Sequence, residues 1–310
     1  MTWSEADIGD QSGKIVLITG ANSGLGLRSA RVLAAKGAHV LMACRSIERG
    51  RKALATVDGA AELVELDLAD LSSVRKAAAY IRERTDDRLD VLMNNAGVMA
   101  TPYAMTVDGF EQQIGTNHLG HAALTWLLMP ALRETPGARV VTLSSIAHRG
   151  GGIDVDDLNF ERRRYNAVSA YSQAKLANLL FAVELDRRAK AAKLDLISVA
   201  AHPGMTDTEL ASNSVRLRGK GGPLGRAVTK VTSLGNKLIT QSLAKGTLPQ
   251  LHAATAAGVI GGEYFGPSGP GEIFGAPGRA KPSAAALDPN LAARLWERTA
   301  ELTGVDPDPA

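Results

Sequence analysis

Cysteine is nearly missing from this sequence. With one in 310 residues no internal disulfide can form, and Cys44, at the end of an apolar run, is expected to be a packed core thiol. Long apolar runs are missing too: no segment reaches the ~20 residues of a membrane-crossing helix. Met1 to Lys14 is polar, without the apolar centre of a signal peptide, so a soluble, cytoplasmic chain without a membrane anchor is expected. An excess of one charge is also lacking. Lys and Arg number 35 against 32 Asp and Glu, and the formal +3 forms no basic stripe, which disfavours nucleic acid as a partner. The six histidines are scattered; His118 and His121 can share a helix face, but no Cys or carboxylate stands at ligand spacing, so no metal site is expected. No internal repeat or heptad run is present, which excludes repeat arrays and coiled coils.

What is present is the composition of a globular chain, 45% hydrophobic and 22% charged, long enough for a large core. No stretch reads as a linker, and one domain over residues 1–310 is expected. Lys14 to Thr19 reads as a strand, followed at once by Gly20-Ala21-Asn22-Ser23-Gly24-Leu25-Gly26 and by Ala30, Leu33 and Ala34 at helical spacing. Glycines between a strand and a helix let the backbone approach a phosphate, and the helix N-terminus adds free N–H groups. Gly37 stops that helix and Ala38 to Ala43 makes a second strand, giving the β-α-β unit a nucleotide site needs.

The alternation then continues. Ile47 to Thr56 reads as a helix, Ala61 to Leu66 as a strand ending at Asp67, Leu71 to Arg84 as a helix, and Leu89 to Met93 as a fourth strand opening onto Asn94-Asn95-Ala96-Gly97. Asp108 to Met129 is a long helical stretch carrying Asn117, a position where an asparagine is usually solvated. Arg139 to Leu143 delivers Ser144 and Ser145 to the carboxyl edge, and Asp195 to Ala200 runs into His202-Pro203-Gly204. Gly150 to Arg164, with Arg162, Arg163 and Arg164 in a row, reads as a solvated loop. Such a pattern implies an α/β fold with a doubly wound parallel sheet. From Glu209 to Lys245 one acidic residue faces seven basic ones among spaced leucines and valines, which reads as a substrate lid. Leu243 to Ala257 resumes a helix, Glu263 to Phe265 is a short strand, Gly266 to Pro282 a loop, and Pro289 to Thr303 a terminal helix.

Tyr171-Ser172-Gln173-Ala174-Lys175 lies in the helix Ala170 to Ala191 and puts a phenol and an ammonium four residues apart on one face. A fixed cation beside a phenol would draw its pKa from ~10 toward the working range, where it could exchange protons with a substrate hydroxyl.

Together, Thr19-Gly20-x-x-x-Gly24-x-Gly26, Asp67, Asn94-Asn95-Ala96-Gly97, Asn117, Ser145, Tyr171-x-x-x-Lys175 and Pro203-Gly204-x-x-x-Thr208 resemble the short-chain dehydrogenase/reductase family. Within it, Ala43-Cys44-Arg45, Ser145-Ile146-Ala147-His148 and Leu295-Trp296-Glu297 look like the retinol dehydrogenase branch, with the protochlorophyllide reductases near relatives. The resemblance implies hydride transfer between a nicotinamide dinucleotide and an alcohol or carbonyl compound. Tyr171 would be the acid/base, Lys175 would favour its phenolate and bind the nicotinamide ribose, and Ser145 would donate to the substrate oxygen. Asn117 would hold a water joining Lys175 to solvent.

The resemblance also implies a cofactor cradle: Gly20, Ser23, Gly24, Leu25 and Gly26 at the pyrophosphate, and Asp67 and Leu68 at the adenine. Asn94, Ala96 and Gly97 would line the ribose side, with Pro203, Gly204 and Thr208 toward the nicotinamide. A homodimer or homotetramer built through the Tyr-bearing helix is implied as well. The residues after the second strand suggest which dinucleotide is used. From Ala38 to Ile47 no acidic residue stands where an NAD site keeps one for the ribose 2′-hydroxyl, whereas Arg45 can meet a 2′-phosphate, so NADP is expected over NAD. The alternative is that Glu48, one turn on, reaches the ribose. Two other functions compete: a dinucleotide-sensing protein without turnover, which would not need Ser145, Asn117, Tyr171 and Lys175 together, and a nucleotide-sugar epimerase, which the glycine spacing disfavours.

Overall fold

Short runs of Val, Ile, Leu and Met form the centre of a sheet covered by helices on both faces, which is why they read as continuous rather than alternating apolar segments. The computed structural model describes residues 2–206 and 241–309. Its strands are β1 (Ile15–Thr19), β2 (His39–Cys44), β3 (Ala61–Glu65), β4 (Val91–Asn94), β5 (Ala138–Leu143), β6 (Leu196–Ala201), β7 (Tyr264–Pro267) and β8 (Pro277–Arg279). They form one sheet in the order β3-β2-β1-β4-β5-β6-β7-β8, parallel throughout except for antiparallel β8. The order in which successive strands are laid down reverses between β1 and β4, which stay parallel, and a crevice opens there at the carboxyl ends of the strands. The doubly wound parallel α/β sheet expected from the alternation is what forms.

The helices are α1 (Gly24–Ala35), α2 (Ile47–Leu54) and α3 (Leu71–Thr85), then α4, built of Gln112–Ile114, a π-turn at Gly115–Leu119 and Gly120–Leu127. They continue as α5 (Met129–Arg133), α6 (Ala167–Ala191), α7 (Leu243–Thr255) and α8 (Pro289–Thr303). Leu17, Leu41, Leu92 and Val140 face one core with Ile81, Trp126, Phe181 and Trp296, while Ile18, Met42, Met93 and Val141 face the other with Leu33 and Leu251. Trp296 of α8 stacks on Phe181 of α6 at 5.4 Å and meets Trp126 edge-on at 4.9 Å, so part of the Tyr-bearing helix is covered within the chain.

Several local expectations change. The helix expected from Asp108 starts at Gln112, because the Glu111 carboxylate caps it by accepting from the Gln113 and Ile114 N–H groups. Asp108 instead accepts from the Leu71 N–H of the neighbouring helix start. The loop expected over 266–282 contains β8, which pairs with β7 through Phe265 and Arg279. Arg163 is not a solvated loop residue: it pairs with Asp157 at 2.9 Å, lies over the Phe160 ring and donates to Gln173 of α6. Of the expected lid, residues 209–240 lie outside the described residues. The chain is described again at Gln241, which bridges Thr206 and donates to the Pro203 carbonyl at 2.7 Å, and Ser242 caps α7.

Candidate active site

The cleft at the carboxyl ends of β1, β2 and β4 is built first of backbone. Its floor is the loop Gly20 to Gly26, including Ser23, Gly24 and Leu25. A Cβ on Gly26 would sit 2.5 Å from the Gly20 carbonyl oxygen and 2.6 Å from the Asn95 amide, so only glycine lets the loop and the end of β4 come this close. Gly20, at φ +68°, lies against Ala96 in the same way. The helix that follows is uncapped by a side chain. Ser23 makes no cap bond, whereas Ser46, Asp70, Asn166, Ser242 and Asp288 cap α2, α3, α6, α7 and α8. The first N–H groups of α1 thus point free into a glycine-lined cleft, a cradle that fits a dinucleotide pyrophosphate.

Beyond the glycine loop, at the end where the adenine is expected, the wall is Asp67 and Leu68 with Arg45 and Arg49. Arg45 comes within 3.9 Å of Asp67 and keeps 64% of its side chain exposed. Glu48 points away, bonded to Lys52 at 2.6 Å on the outer face of α2. On the other side Ala96, Gly97 and Val98 line the cleft. Asn94 does not share it with its side chain. Successive strand residues face opposite ways, so Asn94 is fully buried and donates to Thr125, while Asn95 turns to the cleft and donates to the Thr19 carbonyl. Pro203 and Gly204 follow β6, and Gly204, at φ +63°, leaves no room for a Cβ against the Ile273 carbonyl. Thr208 lies outside the described residues.

Beside this cleft the structure brings Ser145, Tyr171 and Lys175 together. Ser145 leaves the end of β5 and accepts from the Ala147 N–H, and its hydroxyl stands near enough to the Tyr171 phenol to favour the phenolate. Lys175 is 5% exposed and donates to the Leu143 carbonyl at 3.0 Å, with its Nζ 5.8 Å from the centre of the Tyr171 ring. Burial pushes Lys175 down to about 8. The expected lowering of the tyrosine pKa is not found: burial pushes Tyr171 up to about 12, and the nearby Ser145 hydroxyl only partly opposes it. The phenol is therefore neutral at pH 7.

Asn117 is not solvated either. It is fully buried in the π-turn of α4, and both ends of its amide are taken by Val98, Oδ1 accepting from the N–H at 2.8 Å and Nδ2 donating to the carbonyl at 2.9 Å. This clamp holds the loop carrying Gly97 against Lys175: a Cβ on Gly97 would lie 3.1 Å from Asn117 Oδ1 and 3.7 Å from Lys175 Nζ. Sequence reasoning missed Arg49, which the spacing Arg45-x-x-x-Arg49 could have flagged. It also missed Asn178, one turn beyond Lys175, whose Nδ2 donates to the same Leu143 carbonyl at 2.9 Å. His148, which donates from Nδ1 to the Ser145 carbonyl at 2.6 Å, stood in the family-like segment Ser145 to His148 but was given no role. Among the described residues no His, Cys, Asp and Glu cluster suited to a metal is found, and no helix is long and apolar enough to cross a membrane.

A glycine-built dinucleotide cleft flanked by a serine, a tyrosine and a lysine defines a nicotinamide-dependent oxidoreductase acting on CH–OH groups. Residues 14–218 match the family model of the short chain dehydrogenases. Human retinol dehydrogenase 13 is 39% identical over 303 residues, covering 95% of this chain and 86% of that protein. Human retinol dehydrogenase 11 is 38% identical, covering 96% and 87%. The crystal structure of an uncharacterised protein from Mycobacterium paratuberculosis, 43% identical, superposes with a TM-score of 0.82 over 99% of both chains. The chain belongs to the short-chain dehydrogenase/reductase family, in its retinol dehydrogenase-like branch.

Proposed function

We propose that the chain, acting as one domain, interconverts an alcohol and a carbonyl compound with NADP(H), using Ser145, Tyr171, Lys175 and Asn117. The observation that carries this is the convergence of Ser145, Tyr171 and Lys175 at the edge of the glycine cleft, with the ammonium between the phenol and Gly97. A dinucleotide held by the loop Gly20 to Gly26 would supply or accept the hydride. Tyr171, neutral at pH 7, donates its proton to the carbonyl oxygen in reduction and takes it back in oxidation. Ser145 donates to the same oxygen and stabilises the charge that develops there. Lys175, tethered to the Leu143 carbonyl, would offer its remaining N–H groups to the cofactor ribose and to the Tyr171 side of the site. Asn117 holds Val98, and with it the cleft wall, in place.

Preference for NADP is supported by Arg45 and Arg49 in the adenine wall and by the bond of Glu48 to Lys52. Support for a substrate with an apolar body comes from the leucine- and valine-bearing stretch Leu210 to Ile239 and from relatives named retinol dehydrogenases. Any self-association should use a face other than the part of α6 that α8 covers. The test measures dissociation constants for NADPH and NADH, with turnover on apolar ketones and alcohols. Tighter NADPH binding in the parent, lost in Arg45→Ala, is expected, as is near-complete loss of turnover in Tyr171→Phe at unchanged cofactor affinity. An NADH preference, or a Tyr171→Phe variant that keeps turning over, overturns the respective part.

A further inference from the structure

A buried hydrogen-bond chain behind the cleft is centred on two side chains, His121 and Thr19, that have no part in the chemistry above. His121 is 1% exposed, on α4. Its Nδ1 lies 2.9 Å from the Asn117 carbonyl oxygen and its Nε2 2.9 Å from Thr19 Oγ1. A carbonyl can only accept, so Nδ1 carries a proton, and in the neutral imidazole Nε2 is then the bare nitrogen. Thr19 Oγ1 accepts the N–H groups of both Asn95 and Ala96, each at 2.9 Å, which uses its lone pairs. Its own proton then goes to His121 Nε2 at 2.9 Å in preference to the Met93 carbonyl at 3.3 Å. Every donor and acceptor is matched, and only the neutral ring allows it. Burial keeps the ring neutral, pushing its pKa down to about 4.

The chain joins segments distant in sequence. Thr19 ends β1 just before the glycine loop, Asn95 and Ala96 follow β4, and Asn117 sits in the π-turn, where the Gly120 N–H reaches back five residues to the Gly115 carbonyl. We propose that His121 is a positioning residue for the cofactor cleft: its imidazole ties the Asn117 backbone to the Thr19 hydroxyl and through it to Asn95 and Ala96. The cleft wall thereby has its register before a dinucleotide binds. The cofactor part rests on the function proposed above; the register part does not.

Three variants separate the arms. His121→Asn keeps a donor for the Asn117 carbonyl but is too short for Thr19, His121→Gln can accept from Thr19, and His121→Leu has neither group at similar volume. The measurements are amide hydrogen exchange over residues 94–98 in the cofactor-free protein, the dissociation constant of NADPH, and the separation of kcat from KM for the carbonyl substrate. Exchange at 94–98 should be about tenfold faster in His121→Leu and closer to the parent in His121→Gln, with NADPH weakened about fivefold or more and substrate KM little changed. If His121→Leu does not fold, faster exchange in His121→Asn than in His121→Gln carries the same meaning. Equal exchange and equal NADPH affinity across the folded variants and parent overturn the proposal. If the parent binds neither dinucleotide, the proposed function falls, while the exchange data still decide the role of His121.

Discussion

Replacing Lys175 by methionine should stabilise the cofactor-free protein at neutral pH while abolishing turnover. Burial lowers the lysine from 10.5 to about 8, and each unit corresponds to about 1.4 kcal/mol, so keeping the ammonium charged below pH 8 costs the fold about 3 kcal/mol. Methionine loses the bond to the Leu143 carbonyl, a charged hydrogen bond of about 1.5 kcal/mol at the low end of its range. That carbonyl is not orphaned, because Asn178 still donates to it. The net gain is about 1.5 kcal/mol, or roughly 2–5 °C in Tm. The sign follows from the direction of the shift. The folded pKa lies below the unfolded one, so the unfolded chain holds the extra proton between about pH 8 and 10.5, and the parent gains stability as pH rises through that window. The advantage of the methionine variant should thus be full at pH 7 and shrink toward pH 10.5. Thermal unfolding of both proteins at pH 7, 9 and 10.5 reads this directly. A methionine variant less stable than the parent at pH 7, or a difference constant with pH, would refute the claim that desolvation of the ammonium dominates.

Gly26→Ala should weaken NADPH about tenfold or more with circular dichroism unchanged, since the new methyl would press the Gly20 carbonyl and Asn95 out of the cleft wall; unaltered affinity removes the cradle. Trp296→Ala should cost about 3–5 kcal/mol in denaturant unfolding, the range for a buried aromatic, and a loss below about 1 kcal/mol would mean α8 adds little to the core. Tyr171→Phe should remove the pH dependence that the tyrosine brings to turnover, including any rise in oxidation as pH climbs toward about 12; an unchanged profile would move the proton to another group.

What the sequence by itself determined is what backbone geometry fixes over short distances. Strand, glycine loop and helix follow from apolar runs and their periods, and Tyr171 and Lys175 share a face because residues four apart on a helix always do. Gly20, Gly24 and Gly26 announce a close approach, although not that it is made to Ala96 and Asn95. The tertiary structure decided what depends on partners far along the chain. Whether Asn94 or Asn95 faces the cleft turned on where β4 ends, a shift of one residue that reverses the side chain. Thr19 and His121 stand 102 residues apart and meet only because β1 and β4 are neighbours in the sheet while α4 crosses behind them. The pKa values were hidden for the same reason. The spacing of Tyr171 and Lys175 promised a phenol drawn down by a cation, but burial, a property of the whole fold, raised the phenol and lowered the ammonium.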